Sequence, residues 1–142
     1  MICFHDQSAN FNLENQEIII KWLYNVSEQN NYTIKQLNYI FCSDDDLLEV
    51  NKKYLQHDYY TDIITFDLSE IENQVVSDIY VSIDRIIDNA SSLSVPFENE
   101  LLRVLAHGLL HLVGFNDKTE NEQAEMTQME NKFIDLYYNS FS

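Results

Sequence analysis

The segment LAHGLLHLVGFND, residues 105–117, combines a helical leucine pattern with three side chains that can bind a metal. His107 and His111 are four residues apart, so both imidazoles project from one face of the predicted helix. Gly114 can adopt a left-handed backbone conformation that ends the helix and turns the chain back. That turn lets Asp117 approach the same point from a third direction.

Two imidazoles and one carboxylate with a fourth position left open are typical of a catalytic zinc site, whereas structural zinc sites are closed. We therefore predict one Zn²⁺ held by His107, His111 and Asp117, and hydrolysis at that metal. The alternative is that both histidines are ordinary residues of an amphipathic helix. It is disfavoured because the helix, the terminating glycine and the acid coincide. Gly108 stands where metzincin proteases with this spacing carry their general base, a glutamate.

The composition limits which kinds of protein this chain can be. The chain has 142 residues, 45% of them apolar and 13% aromatic, which predicts one folded domain spanning 1–142. Two cysteines are too few for a disulfide framework, and neither a signal peptide nor a membrane span is visible, so we expect a cytoplasmic protein without a membrane partner. The net charge of −16 repels phosphate backbones, so an RNA substrate would need the metal or a basic partner.

Periodicity and capping signals predict an α+β fold of about four strands, at least partly mixed in direction, with about five helices around the sheet. Ser43 and a Thr119–Glu122 capping box mark two of the helix starts. The segment 67–77 looks like a hairpin or edge connection. Strands are predicted at Leu37–Cys42, Ile63–Phe66 and Ile79–Ile83, and helices at Glu14–Asn30, Ser43–Leu55, Asp84–Leu93, Pro96–Val113 and Thr119–Tyr138.

Three blocks of the sequence resemble the signatures of the YbeY family, bacterial endoribonucleases involved in maturing ribosomal RNA. Residues 107–117, HGLLHLVGFND, are similar to the family pattern HGxLHLxGYDH. Residues 51–66, NKKYLQHDYYTDIITF, are similar to NxxYRxxDxxTDVLSF, and residues 77–82, SDIYVS, are similar to GDIxIS. The blocks occur in the family's order.

This resemblance implies a single zincin-like domain with the metal-ligand helix across the sheet. It also implies a zinc-dependent endoribonuclease specific for single-stranded RNA, acting in maturation of the 16S rRNA 3′ end and in ribosome quality control. Ribosomal RNA and proteins of the small ribosomal subunit are then the expected partners, and the oligomeric state stays open. Two positions depart from the pattern: the third histidine ligand is Asp117 here, and the arginine after the tyrosine is Leu55.

Other residues are weaker candidates. Lys53, His57 or Arg103, which lies one helical turn before His107, could replace the missing arginine. Arg103 or Lys53 could offset charge on the phosphate. Arg103 could equally be an exposed helix residue paired with Glu100 or Asn99. Tyr59 and Tyr60 could stack on an unpaired base, or belong to the core or the rim of a site. The resemblance suggests that Asp62 and Asp78 orient the ligand histidines or contact RNA, although Asp62 could equally cap a turn. Thr61 and Ser82 are polar groups that could line a cleft, although hydroxyls on strands commonly have no such role.

Two other function classes remain open from the sequence. A metal-dependent peptidase is disfavoured because Gly108 replaces the glutamate base. A ribosome-assembly factor with a mainly structural zinc is favoured by the acidic charge and by Leu55 at the arginine position.

Overall fold

The structure, a computed structural model, describes all residues from Met1 to Ser142. It has the predicted α+β architecture, with a four-stranded sheet and five α-helices. None of these helices has the length and apolar character that crossing a bilayer requires. The strands are β1 (Ile2–Asp6), β2 (Thr33–Cys42), β3 (Ile63–Asp67) and β4 (Gln74–Ser82), and the helices are α1 (Gln16–Gln29), α2 (Asp44–Leu55), α3 (Ile83–Leu93), α4 (Phe97–Leu112) and α5 (Glu120–Leu136).

The sheet is mixed, as predicted, with the strand order β1-β2-β4-β3. β1, β2 and β4 run parallel, and β3 pairs antiparallel to β4 in a hairpin. The sequence did not predict β1, because this short edge strand lacks strict alternation and is defined by its pairing with β2, which places Ile2 opposite Leu37. β2 and β4 also begin earlier than predicted, at Thr33 and Gln74, because both continue along their shared parallel ladder.

Helix α4 lies directly against the sheet because Gly108 has no side chain. A Cβ at Gly108 would come within 2.9 Å of Ile63 Cδ1 on β3 and 3.0 Å of Ile79 Cδ1 on β4. On the same face, the buried Tyr39 hydroxyl of β2 donates a hydrogen bond of 2.8 Å to the Leu105 carbonyl. These contacts fix the rotation of α4 about its axis and its distance from the sheet. As a result, the histidines of α4 lie beside strand β3.

Helix α5 packs beside α4 and closes the core on that side of the sheet. It begins with the predicted capping box: Glu122 N–H donates to Thr119 Oγ1 at 3.1 Å, and Thr119 N–H donates to Glu122 Oε1 at 3.0 Å. The Trp22 indole of α1 donates to the Phe133 carbonyl at 2.7 Å and anchors the far end of α5. The α-helix ends at Leu136, and a π-helical turn follows from Tyr137 to Phe141.

Helix α2 lies on the other side of the sheet, against β3 and β4, and a second polar network joins its start to the end of β4 and the start of α3, a helix that packs against α4. Neighbouring strand residues point to opposite faces, and Ile79 of β4 faces α4, so Asp78 and Ser82 point away from the metal helix. Ser82 Oγ donates to Asp44 Oδ1 at 2.7 Å and accepts from Arg85 N–H at 3.2 Å, which caps α3. The structure therefore gives Ser82 a capping role, on the face of the sheet away from the predicted site.

Candidate metal centre

Three side chains converge at the C-terminal end of α4 and form a group that could hold a metal ion. His111 Nε2 lies 3.0 Å from His107 Nε2. Asp117 Oδ2 lies 3.4 Å from His107 Nε2 and 3.3 Å from His111 Nε2. The three atoms thus form a nearly equilateral triangle, and all three side chains are partly buried, so one side of the group stays accessible.

The turn after α4 brings Asp117 back to the histidines. Gly114 has a φ of +109°, a backbone conformation that residues other than glycine rarely adopt. The Phe115 N–H then donates to the Leu110 carbonyl at 3.0 Å, which closes the end of the helix. Thr119 is the N-cap residue of α5, so the Asp117 side chain is not used for capping and can approach the histidines.

Glu130 of α5 holds His107 from behind, and sequence reasoning missed this residue. Glu130 is only 7% exposed. Its Oε2 lies 2.7 Å from His107 Nδ1, and its Oε1 accepts from Arg103 Nη1 at 3.0 Å. When Nδ1 carries the proton and donates it to Glu130, Nε2 keeps its lone pair, which is the tautomer that a metal ligand needs.

The electrostatics of the site favour positive charge at His107. Burial alone would lower the pKa of His107, but the hydrogen bond to Glu130 and the charges of Glu130, Asp117 and Asp62 outweigh burial and raise it. Burial raises the pKa of Asp62, and also that of Glu100, whose Oε1 is buried without a hydrogen-bond partner. The negative charges of Glu130, Asp117 and Asp62 would also attract a metal ion, which binds the neutral imidazole and therefore competes with the proton.

The three ligands lie in an open cleft of about 520 Å³ between α4, β3 and the loop that follows α2. Leu55 lines this cleft at the position where the resemblance would place an arginine. No lysine or arginine is among the lining residues. The lining consists of Asn51, Leu55, His57, Tyr59, Thr61, Asp62, Ile63, Ile64, Thr65, Asp67, His107, His111, Leu112 and Asp117.

The structure brings only two of the four secondary candidates to this cleft. Thr61 lines it, and Asp62 lies between it and a smaller hollow of about 260 Å³ beside Arg103 and Glu130. Asp78 lies on the opposite face of the sheet and accepts a hydrogen bond of 3.0 Å from Asn38 Nδ2. Ser82 also lies on that face, as described above.

The two candidate cations lie in different places. Arg103 is close to the ligands, but Glu130 and Asn131 of α5 occupy both terminal nitrogens, at 3.0 and 2.8 Å. Its partners are therefore on α5, and the sequence-based pairing with Glu100 or Asn99 is not the one observed. Lys53 lies in a separate groove on the other side of α2, with its ammonium 5.1 Å from the centre of the Tyr54 ring.

A sequence profile described as "Endoribonuclease YbeY" matches residues 1–138, nearly the whole chain. The chain belongs to the YbeY family. An Endoribonuclease YbeY from Cytophaga hutchinsonii is 46% identical over 135 residues, covering 95% of this chain and 94% of its own length. Another, from Amoebophilus asiaticus, is 44% identical over 133 residues, covering 94% of this chain and 90% of its own length.

A solved structure agrees with the YbeY assignment at the level of the fold. The solution structure of TM1509 from Thermotoga maritima superimposes with a TM-score of 0.69 at 26% sequence identity. The match covers 97% of this chain and 89% of that one. The sheet and helices of this chain therefore form a fold that is also found in a solved protein.

Proposed function

We propose that this chain is a zinc-dependent endoribonuclease. It cuts single-stranded RNA at a zinc ion held by His107, His111 and Asp117. Membership of the YbeY family supports the reaction class. The observation that carries the proposal is the convergence of three ligand atoms, 3.0–3.4 Å apart, on the floor of an open cleft. Such a cleft leaves room for a substrate strand beside the ligands.

The spacing of the ligand atoms fits zinc. Zinc bonds to nitrogen and oxygen of about 2.0–2.1 Å in a tetrahedron place neighbouring ligand atoms roughly 3.3–3.4 Å apart. The triangle of His107, His111 and Asp117 has sides of 3.0, 3.3 and 3.4 Å. His107, His111 and Asp117 would hold the ion, and the cleft beside them would leave it accessible to a substrate. The residue types and the spacing of their ligand atoms would therefore fit zinc.

Each protein group has a defined task in this proposal. Glu130 holds the proton on His107 Nδ1, and Arg103 holds Glu130 in place. A bound zinc ion supplies a Lewis acid that activates water and polarises a phosphoryl oxygen. Arg103 lines a hollow together with His107 and Asp117, whereas Lys53 lies in a separate groove, so we propose Arg103 over Lys53 as the group that offsets charge on the phosphate. Thr61 and Asp62 are proposed to contact the substrate or orient the ligands from the cleft wall.

We assign the substrate by resemblance and by charge. The family resemblance supports ribosomal RNA, in particular maturation of the 16S 3′ end and ribosome quality control in the cytoplasm. The net charge of −16 and the absence of lysine and arginine from the cleft disfavour strong binding of free RNA. A basic protein of the small ribosomal subunit would supply the missing positive field.

The peptidase alternative is weakened by Gly108. The Cβ of a glutamate there, the position of the protease base, would lie 2.9 Å from Ile63 Cδ1 and 3.0 Å from Ile79 Cδ1, closer than van der Waals contact allows. The alternative of a structural zinc is weakened because such sites are closed, whereas this triangle opens on a cleft.

Cleavage of a labelled single-stranded oligoribonucleotide tests the proposal. We expect the zinc-loaded protein to produce internal cuts, a chelator to abolish them, and added zinc to restore them. His111→Ala should be inactive under the same conditions. Cleavage of a peptide library with no cleavage of RNA would favour the peptidase instead.

A further inference from the structure

Two aromatic rings form part of the wall of the metal cleft, in the loop between α2 and β3. The rings of His57 and Tyr59 are stacked, with centroids 5.1 Å apart and an interplanar angle of 22°. The Tyr59 hydroxyl lies 3.0 Å from His57 Nδ1, which holds the two rings together. Both residues line the cleft that contains the ligands, and Tyr59 is 54% exposed. The pair is thus an exposed stack of two aromatic rings in the cleft wall, which a third ring can extend.

The loop that carries these rings is tied to α2 by one buried residue. Asn51 is 1% exposed, and its side-chain amide donates to the Tyr59 carbonyl at 2.9 Å. The Asn51 carbonyl accepts the His57 N–H at 3.1 Å. Gln56, between them, has a φ of +57° and turns the chain back. The aromatic pair is therefore held in position before any ligand binds, which lowers the entropy lost on binding.

Tyr60, the next residue, provides a comparison. It is also 54% exposed, but its hydroxyl donates to Asp45 Oδ1 at 3.2 Å, and it does not line the cleft. Two adjacent tyrosines of equal exposure thus have different surroundings, and only Tyr59 lines the cleft that contains the metal ligands.

The charge around the cleft determines which part of RNA this wall can bind. Asp62, Asp67 and Asp117 line the cleft, and no lysine or arginine does, so away from the metal the wall repels phosphate. A nucleobase is uncharged, and its face stacks on an aromatic ring with a contribution of about 1–3 kcal/mol per base. Leu55 and Leu112 add apolar surface to the same wall.

We propose that His57 and Tyr59 form a stacking subsite for an unpaired nucleobase, which positions the neighbouring phosphodiester at the metal ligands. This proposal rests on the proposed endoribonuclease function and names the part of the cleft that selects single-stranded substrate. A base within a duplex is stacked on its neighbours and cannot insert against the pair.

Affinity for a non-cleavable strand tests the subsite. The probe is a short single-stranded 2′-O-methyl oligoribonucleotide with a fluorescent end, and its anisotropy is followed during titration with the zinc-loaded full chain. We expect Tyr59→Ala to weaken binding about 5- to 150-fold, the range that one stacked base contributes. Tyr59→Phe, which keeps the ring, should stay within about 3-fold of wild type, and Tyr60→Ala should match wild type.

Abasic probes sharpen this result. One nucleotide at a time is replaced by an abasic residue, and at one position the loss should equal that of Tyr59→Ala. In that variant the same abasic probe should cause no further loss, because the base and the ring form one contact. Equal affinities of Tyr59→Ala and Tyr60→Ala would overturn the subsite, and so would no binding by the wild type or no sensitivity to any abasic position.

The two proposals fail differently. If wild type cleaves RNA but Tyr59→Ala binds the non-cleavable strand equally well, the subsite is wrong and the endoribonuclease function stands. If wild type cleaves no RNA but shows the predicted pattern with the abasic probes, the subsite stands and the reaction is wrong. The melting temperature of each variant, measured with zinc, confirms that the chain is folded.

Discussion

Glu130 and Asp44 each join an arginine to a second polar side chain, and the two networks lie on opposite sides of the sheet. Glu130 binds Arg103 at 3.0 Å and His107 at 2.7 Å. Asp44 binds Arg85 at 2.8 Å and Ser82 at 2.7 Å. In length and partner type the contacts are nearly the same, so the contacts alone do not separate a functional site from a structural one.

The difference lies in the atoms that remain free. Ser82 Oγ donates to Asp44 and accepts from the Arg85 N–H, so it closes its network within α2 and α3. Hydrogen bonds from Arg85 lower the pKa of Asp44, as expected for a satisfied carboxylate. His107 instead keeps Nε2, which faces His111 and Asp117 in an open cleft. A polar network indicates a functional site when one of its ligand atoms makes no hydrogen bond within the network and lies beside the ligand atoms of other residues.

The largest expected effect is loss of the metal on removal of a histidine. His107→Ala should abolish stoichiometric zinc binding while the chain stays folded, because a chain of this size has its own hydrophobic core. Elemental analysis of the purified variant measures zinc per chain. A full complement of zinc in this variant would exclude His107 from the site.

Replacement of Asp117 should have the next largest effect. Asp117→Ala removes one of three ligands and should weaken zinc binding, measured by competition with a chelator, while Asp117→His should keep zinc because imidazole is also a good zinc ligand. Thr119 already caps α5, so no compensating capping role for Asp117 is expected. An unchanged zinc affinity in Asp117→Ala would show that it is not a ligand.

Glu130 and Asp44 can be compared directly through matched changes. Glu130→Gln should lower zinc affinity about 10- to 100-fold, the usual loss when a carboxylate that orients a histidine ligand is removed. Asp44→Asn makes the same chemical change on the other side of the sheet and should leave zinc affinity unchanged. Equal zinc affinities in the two variants would remove the distinction drawn between the networks.

The smallest effect is expected at Ser82. Ser82→Ala removes the cap of α3 and should lower the free energy of unfolding by about 1 kcal/mol. Zinc content and RNA cleavage should equal those of wild type. Denaturant unfolding and a cleavage assay on one preparation measure both quantities, and loss of cleavage in a folded variant would return Ser82 to the list of site residues.

The predicted metal group was accessible from sequence because it is local. A helix followed by a glycine turn brings His107, His111 and Asp117 together within eleven residues, so their convergence depends on few long-range contacts. Glu130 could not be placed in the same way, because its contact depends on how α5 packs against α4. One signal was present: Glu130 is a charged residue within the buried stripe of α5, between Met126 and Phe133.

The misplaced candidates show a second limit. Asp78 and Ser82 belong to the SDIYVS block. The block alone does not indicate whether their side chains lie on the face of the sheet that carries the metal ligands. Strand alternation could have excluded both, since Ile79 and Val81 are the buried neighbours that face α4. Strand β1 needed its pairing with β2, which is a tertiary contact that the first six residues do not specify.

The dependence of RNA cleavage on zinc tests this assignment most directly. The metal-free chain is titrated with Zn²⁺ while the rate of cleavage of a single-stranded oligoribonucleotide is measured. We predict that the rate rises to a plateau at a single equivalent of zinc per chain and that His111→Ala shows no rise. A cleavage rate that is independent of zinc, or equal in wild type and His111→Ala, would contradict a catalytic metal centre at these residues.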